Sequence, residues 1–351
     1  MIDFYKGKKV LVTGHTGFKG TWLTKLLTVA GAEVCGYSRC SEKEQSLFEL
    51  SGVERSITHV KGDVRDYVNL LRAFQEFQPE IVFHLAAQPI VRESYVNPLE
   101  TYGTNVMGTA NVMECIRQTG SVRSAVIITT DKVYRNNEWQ WGYRENDVLD
   151  GFDPYSNSKS CAELVTASYR RSFPDLPPIS TARAGNVIGG GDFAKDRIIP
   201  DCVRAVLKGE PITVRNPYSV RPYQHVLEPL FAYLMIAEKQ YENPTIAGCY
   251  NIGPEERDCV TTGELVTLFC KTWGEGARWI DKSEINAPHE AGFLKLDCSL
   301  IKNTFGWKPR WGIETAVRMI VEFEKTRVGK EYTVYKLMDQ QILDYAQLTV
   351  A

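Results

Sequence analysis

Tyr155 and Lys159 stand four residues apart in a segment with helical signals, so their side chains emerge on one face about one turn from each other. An ammonium beside a phenol favours phenolate, lowering the tyrosine pKa until it accepts a proton from an alcohol near neutral pH. Oxidation of a hydroxyl is the chemistry such a pair supports, and a solvated helical pair is the plain alternative. Upstream, Thr129-Thr130-Asp131-Lys132 closes a β-branched run. If that run is a strand of a doubly wound sheet, its carboxyl end faces the ligand crevice, and Thr130, Asp131 and Lys132 share a pocket with the tyrosine.

A second constellation lies near the start. The run Val10–Thr13 leads into Gly14-His15-Thr16-Gly17-Phe18-Lys19-Gly20 and then an apolar helical segment with Trp22, Leu23, Leu26 and Leu27. Glycines let backbone turn tightly and approach a pyrophosphate, and the helix start offers free N–H groups. The spacing Gly-x-x-Gly-x-x-Gly, rather than Gly-x-Gly-x-x-Gly, points toward short-chain dehydrogenases. His15 and Lys19 put positive charge beside this cradle, although Lys19 also reads as an ordinary solvated lysine. The acid that usually holds the adenosine ribose is missing after the second strand, which ends Gly36-Tyr37-Ser38-Arg39-Cys40. Arg39 is either a 2′-phosphate ligand, which would indicate NADP, or a surface arginine. Asp63 is either an adenine contact or a turn cap.

The elements that must position these groups alternate in type. Short β-branched runs at Val10–Thr13, Glu33–Tyr37, Thr58–Gly62, Ile81–Ala86, Ala125–Thr130 and Ile179–Ala182 are separated by helix-length segments, the pattern of an α/β fold with a doubly wound parallel sheet. Asp66 caps a helix through Phe77, Thr104 to Gly120 spans several turns, and Asp153-Pro154 opens a helix toward Ser172 that Phe173-Pro174 closes. After Asn186 the texture changes. Gly189-Gly190-Gly191 reads as a flexible turn, Ile198–Lys208 as a helix, and Pro211, Pro217 and Pro222 punctuate an extended stretch. Val226–Tyr241 reads as a helix and Cys249–Gly253 as a strand rejoining the sheet. The expected division is a dinucleotide-binding Rossmann domain of residues 1–185, with about 224–253 returning to it, and a smaller substrate lobe of 186–223 and 254–351.

The 351 residues can bury a large core. A formal net charge of -2 gives no broad positive field, so nucleic acid is not expected as a partner. The start lacks an apolar signal core and no run approaches the length of a membrane span, so a cytoplasmic protein with no membrane partner is expected. The 9 cysteines contain no Cys-x-x-Cys pair and read as reduced thiols. The 5 histidines show no metal-ligand spacing, and no metal is expected.

Longer stretches carry a resemblance: VTGHTGFKGTWL, FHLAAQPIVRESY, TNVMGT, WGYREN, DPYSNSKSCAEL, RAGNVIGGGDFAKDRIIPD, RNPYSVRPYQHVLEPL and PHEAGFLKLDCS. Together they resemble the extended short-chain dehydrogenase/reductases of the epimerase/dehydratase type, and within them the CDP-glucose branch of the nucleotide-sugar 4,6-dehydratases. The resemblance implies NAD across the first lobe and a nucleotide-sugar, CDP-glucose, across the second. Hydride would leave carbon 4 of the glucose, water would be lost across carbons 5 and 6, and the hydride would return to carbon 6.

By the same resemblance the cofactor contacts are Gly14, His15, Gly17, Phe18, Lys19, Gly20, Asp63, Val64, Ala86, Tyr155 and Lys159. Tyr155 takes the carbon-4 proton, Thr130 binds the same hydroxyl, Lys159 holds the nicotinamide ribose, and Asp131 is the acid for the leaving hydroxyl. Lys132 stands where dTDP-glucose relatives have a glutamate. It is either the carbon-5 base or a partner of Asp131 that stabilises enolate charge. Gln88, Asn186, Arg197, Arg221 and His225 are the substrate contacts. Many relatives have an arginine after a His-Asp pair near the chain end, whereas His289-Glu290-Ala291 stands here. Trp139–Tyr143 is either a sugar cover or simple packing. A homodimer built on Thr104–Gly120 and Ser158–Ser172 is implied too.

Overall fold

Seven short runs, most of them rich in buried β-branched and aromatic residues, pair side by side: β1 (Lys9–Thr13), β2 (Glu33–Ser38), β3 (Thr58–Lys61), β4 (Ile81–His84), β5 (Ser124–Ile128), β6 (Ile179–Ala184) and β7 (Cys249–Ile252). The computed structural model describes residues 2–39, 46–283, 292–329 and 333–347. The sheet is wholly parallel, in the order β7-β6-β5-β4-β1-β2-β3. It is the expected doubly wound α/β sheet. The order reverses between β1 and β4, so the crevice at their carboxyl ends is the place where a ligand can enter between the two windings.

Near-continuous apolar strands are what burial on both faces demands. Alternate residues serve opposite layers. Val10, Val12, Ile81, Phe83, Val126 and Ile128 meet Trp22, Leu23, Leu26 and Leu27 of α1 (Phe18–Val29) on one face. Leu11, Cys35, Val82, Ala125 and Ile127 meet Leu70 and Phe74 of α2 (Tyr67–Phe77) and Val112, Met113 and Ile116 of α3 (Gly108–Gln118) on the other. Asp66 caps α2 by accepting from Asn69 N.

The helix expected from Thr104 to Gly120 differs at both ends. It begins in a wide π turn, Gly103–Met107, and stops at Gln118. The surplus residue goes with an inward-facing Asn105, which accepts from Gln88 N at 2.8 Å and donates to the Gln88 carbonyl at 3.1 Å and to Ser158 Oγ at 2.8 Å. The expected helix from Pro154 is α4 (Pro154–Ser172), with the Asp153 carboxylate accepting from Ser156 N and Phe173 at its end.

Beyond β6, α5 (Ile198–Leu207), α7 (Thr262–Trp273) and α8 (Ile313–Gly329) enclose a separate core around Ile212–Val214, which pairs with Trp279–Asp281. Between them in sequence, α6 (Leu227–Glu242) returns to cover β5 and β6. The Gly189–Gly191 turn is tightly packed rather than flexible: a Cβ at Gly190 would lie 2.2 Å from the Phe323 ring, and the Gly190 carbonyl accepts from Trp22 Nε1. The last helix, α9 (Val334–Gln347), was expected in the second lobe but packs on α1, where buried Lys25 meets Asp339 at 2.7 Å. Among the described residues no helix is long and apolar enough to cross a membrane.

Candidate active site

The chain turns out of β1 through Gly14, whose φ of +75° and closeness to Ala86 leave no room for a side chain: a Cβ there would lie 2.6 Å from Ala86 N. Gly20 is as constrained, since its Cβ would sit 2.0 Å from the Gly14 carbonyl oxygen. Gly17 is not so constrained, and its N–H donates to the Gly14 carbonyl as the loop enters α1. The loop therefore presents bare backbone and a helix N-terminus to a cavity of about 270 Å³. Gly14, Gly17, Phe18, Lys19, Gly20, Asp63, Val64 and Ala86 line it, as the sequence led us to expect, and so do Thr16, Ser38 and Thr104, which sequence reasoning missed. An extended dinucleotide fits this donor-rich, glycine-walled crevice at the switch point of the sheet.

His15 does not line it. Its ring lies over Gly36, with Nε2 2.6 Å from His59 Nδ1 and its edge against Phe48. Burial, then the neighbouring His59, pushes its pKa down to about 3, so the expected positive charge at this position is absent. Arg39 lines the cavity but is turned to Glu100 at 3.0 Å, and Asp63 is held by Arg65 at 2.7 Å.

A larger cavity of about 810 Å³ adjoins the first, sharing Phe18, Lys19, Pro89 and Arg197 with it. Thr130, Asp131, Lys132 and Tyr155 all open into this second space. They reach it because β5 ends at Ile128 and the chain makes a short turn, Asp131–Val133, in which Thr130 Oγ1 accepts from Lys132 N. The Tyr155 phenol lies near the Thr130 hydroxyl, which works to lower its pKa. Asp131 is 2 % exposed. Its Oδ1 accepts from Thr130 Oγ1 at 2.9 Å, while its buried Oδ2 has no hydrogen-bond partner among the described residues. Burial raises its pKa above the usual carboxylate value, against the pull of Lys132, the Thr130 hydrogen bond and Arg221.

Lys159 lies one turn behind Tyr155, with its Nζ 3.0 Å from the Ile128 carbonyl. Burial, then the nearby Lys19, lowers its pKa to about 7. The expected lowering of the Tyr155 pKa is not found in the chain by itself. Burial raises that phenol to about 12, outweighing the Thr130 hydrogen bond. Lys19, between the two cavities, is lowered to about 8 by burial and by Arg197. The reading of Lys19 as an ordinary solvated lysine is thereby set aside.

Of the expected substrate contacts, Asn186, Arg197 and Arg221 line the larger cavity; Arg197 is paired with Asp192 at 2.9 Å. Gln88 and His225 do not. The Gln88 side chain bonds Ile90 and Thr101 and shapes its own loop. His225 is enclosed by Trp22 and Trp311, with burial lowering its pKa to about 3. Asp192, Thr213–Asn216 and Tyr218 also line it, and the sequence reading gave them no role. Trp139 and Tyr143 pack with Tyr134 and Leu294, so their role here is packing. His289-Glu290-Ala291 and Cys40 lie outside the described residues. Among the described residues no cluster of three His, Cys, Asp or Glu could hold a metal ion.

Residues 11–320 match the family model described as GDP-mannose 4,6 dehydratase. The chain is 46% identical to a CDP-glucose 4,6-dehydratase of Salmonella typhimurium over 99% of both chains. It is 30% identical to a CDP-paratose 2-epimerase of Salmonella typhi, over 90% of this chain and 98% of that one. A solved UDP-glucose 4-epimerase of Thermus thermophilus in complex with NAD superposes with a TM-score of 0.79 at 25% identity, covering 90% of this chain and 99% of that chain.

Proposed function

The chain belongs to the GDP-mannose 4,6 dehydratase family, and from that premise we propose that it converts CDP-D-glucose to CDP-4-keto-6-deoxy-D-glucose, as a carbon–oxygen lyase with NAD as its resident cofactor. The choice of CDP-glucose follows the Salmonella typhimurium relative. The observation that carries the reaction is the opening of Thr130, Asp131, Lys132 and Tyr155 into one cavity that adjoins the glycine cradle.

When bound in the cradle, NAD supplies a hydride acceptor and donor, so the sugar is oxidised and reduced with no net change. Tyr155 takes the proton of the carbon-4 hydroxyl, which Thr130 holds by a hydrogen bond. Lys159, one turn behind, holds the nicotinamide ribose and, with the cofactor in place, biases the phenol toward phenolate. Once carbon 4 is a ketone, the carbon-5 proton is acidic and the carbon-6 hydroxyl can leave. Asp131, whose pKa burial raises, is the group that gives a proton to that departing hydroxyl, through the Oδ2 that has no hydrogen-bond partner among the described residues. Lys132 supplies either the base or the positive charge that the enolate at carbon 5 requires. Arg197, Arg221 and Asn186 hold the diphosphate.

We read residues 1–185 and about 224–253, joined by α9, as the dinucleotide half, and the remainder as the sugar-nucleotide half. A homodimer through the packed pair α3 and α4 and the preceding turn completes the proposal, with Met107 and Leu164, 56% and 53% exposed, at the centre of the contact.

Incubation with CDP-, dTDP-, UDP- and GDP-glucose tests the reaction. CDP-glucose should yield a 4-keto-6-deoxy sugar, seen by its alkaline ultraviolet absorbance, without build-up of reduced nicotinamide. Silence with all four would sink the proposal.

A further inference from the structure

One carboxylate on α4 takes no part in the steps above. Tyr155, Lys159 and Glu163 follow at intervals of four residues and so run along one side of the helix. Glu163 is 2% exposed. It accepts from Thr129 Oγ1 at 2.5 Å, Thr181 Oγ1 at 2.7 Å and Arg183 Nη2 at 2.8 Å. Thr129 stands between Ile128, whose carbonyl holds Lys159, and Thr130. Arg183 continues through Nη1 to the Tyr134 phenol and the Glu145 carbonyl. One carboxylate thus joins β5, β6 and the segment after the Asp131–Val133 turn to the helix that carries Tyr155.

An interior ion pair of this kind is a poor device for stability alone, because desolvation offsets most of its attraction and two apolar side chains would pack as well. What an apolar pair lacks is negative charge near Lys159. The ionisable groups around that ammonium are Lys19 from α1, His84 from β4, Tyr155 and Glu163 on its own helix, and Arg183 from β6 beyond Glu163. Lys19 opposes a charge on Lys159, and Glu163 is the anion that supports it.

We propose that Glu163 is a positioning residue for the redox pair: fixed by Thr129, Thr181 and Arg183, it keeps negative charge one helical turn behind Lys159 and thereby favours the ammonium form of that side chain against burial and Lys19. The inference rests on the assignment of Tyr155 and Lys159 made above.

The test follows the ammonium directly, by NMR of protein carrying 13Cε-labelled lysine, with the Lys159 signal identified by its loss in Lys159→Met. In Glu163→Gln its titration should move to lower pH by about one unit, and the alkaline limb of kcat/KM should move the same way. Glu163→Asp, which keeps the charge, should restore both. If Glu163→Gln does not fold because Arg183 is left without its anion, the double variant Glu163→Gln/Arg183→Met should move the titration the same way but by less, because a more distant cation leaves with the nearer anion. An unmoved Lys159 titration in whichever variant folds, or an equal shift in Glu163→Asp, overturns the proposal. An enzyme inert toward every sugar nucleotide would instead count against the proposed reaction, and the NMR titration would still decide the role of Glu163.

Discussion

Thr130 donates its hydroxyl proton to Asp131 Oδ1 across 2.9 Å, and the Tyr155 phenol lies near the same hydroxyl. One hydroxyl therefore stands between the group proposed to begin the oxidation and the acid proposed to complete the elimination. Removing either neighbour should separate those two halves of the reaction.

Asp131→Asn should lower kcat by roughly a hundredfold or more, with Tyr155→Phe at least as damaging. Burial holds the Asp131 pKa above the ordinary carboxylate range. The protonated acid is present below that raised pKa and lost above it, so kcat should fall as pH rises through it. A pH profile of product formation measures this. Unchanged turnover in Asp131→Asn with a dead Tyr155→Phe would favour 4-epimerisation.

Gly20→Ala should destabilise the protein by about 1–3 kcal/mol, because its Cβ would meet the Gly14 carbonyl oxygen at 2.0 Å and something must shift. Gly17→Ala should be far milder, since its nearest contact is an ordinary 3.4 Å. Thermal unfolding without added cofactor separates the two. Equal melting temperatures would show that the loop yields freely.

Glu228 supports a stability prediction. Its carboxyl accepts from Arg310 N, Trp311 N and the Tyr345 hydroxyl, yet burial raises its pKa to about 7. The folded state therefore binds the proton more tightly than the unfolded chain does. That contribution is full below the ordinary glutamate pKa and disappears as pH rises to about 7. Glu228→Gln keeps a neutral side chain, and its amide can donate to the Tyr345 oxygen. It should flatten the decline and be more stable than wild type at pH above 7, by about 1–3 kcal/mol. Denaturant unfolding at several pH values is the check.

Arg39 bears on cofactor choice. Its guanidinium is turned to Glu100, although it lines the cradle cavity beside Ser38 and Thr16. Glu100→Gln should release it toward a 2′-phosphate and tighten NADP binding roughly threefold to tenfold, leaving NAD little changed. Calorimetric titration with both cofactors decides. No change in their ratio would mean that Arg39 points to solvent whatever its partner.

The sheet was legible in the sequence because its strands are short apolar runs between strong punctuators, and Asp153-Pro154 opened α4 where the structure opens it. The residues at its carboxyl edge were legible for the same reason, since position at the end of a strand decides which way Thr130 and Asp131 face. What the sequence hid was partnership at a distance. His15 sits inside a glycine motif but turns away to His59, and His225 is enclosed by two tryptophans from separate elements. The pKa of Tyr155 also escaped, because neighbouring charge is visible as a spacing while burial is not. Asp192 and Tyr218 line the larger cavity although no spacing in the sequence ties them to Tyr155.

The order of the sheet also bears on how the chain is made. β6 is complete at Ala184, but the strand that hydrogen-bonds to its outer side begins only at Cys249. During synthesis a nascent chain therefore carries an open sheet edge while the intervening stretch leaves the ribosome, and such an edge is a template for wrong pairing. Overproduction at elevated temperature should depend on chaperone supply through that interval, and a stalled product ending before Cys249 should aggregate where the finished protein does not.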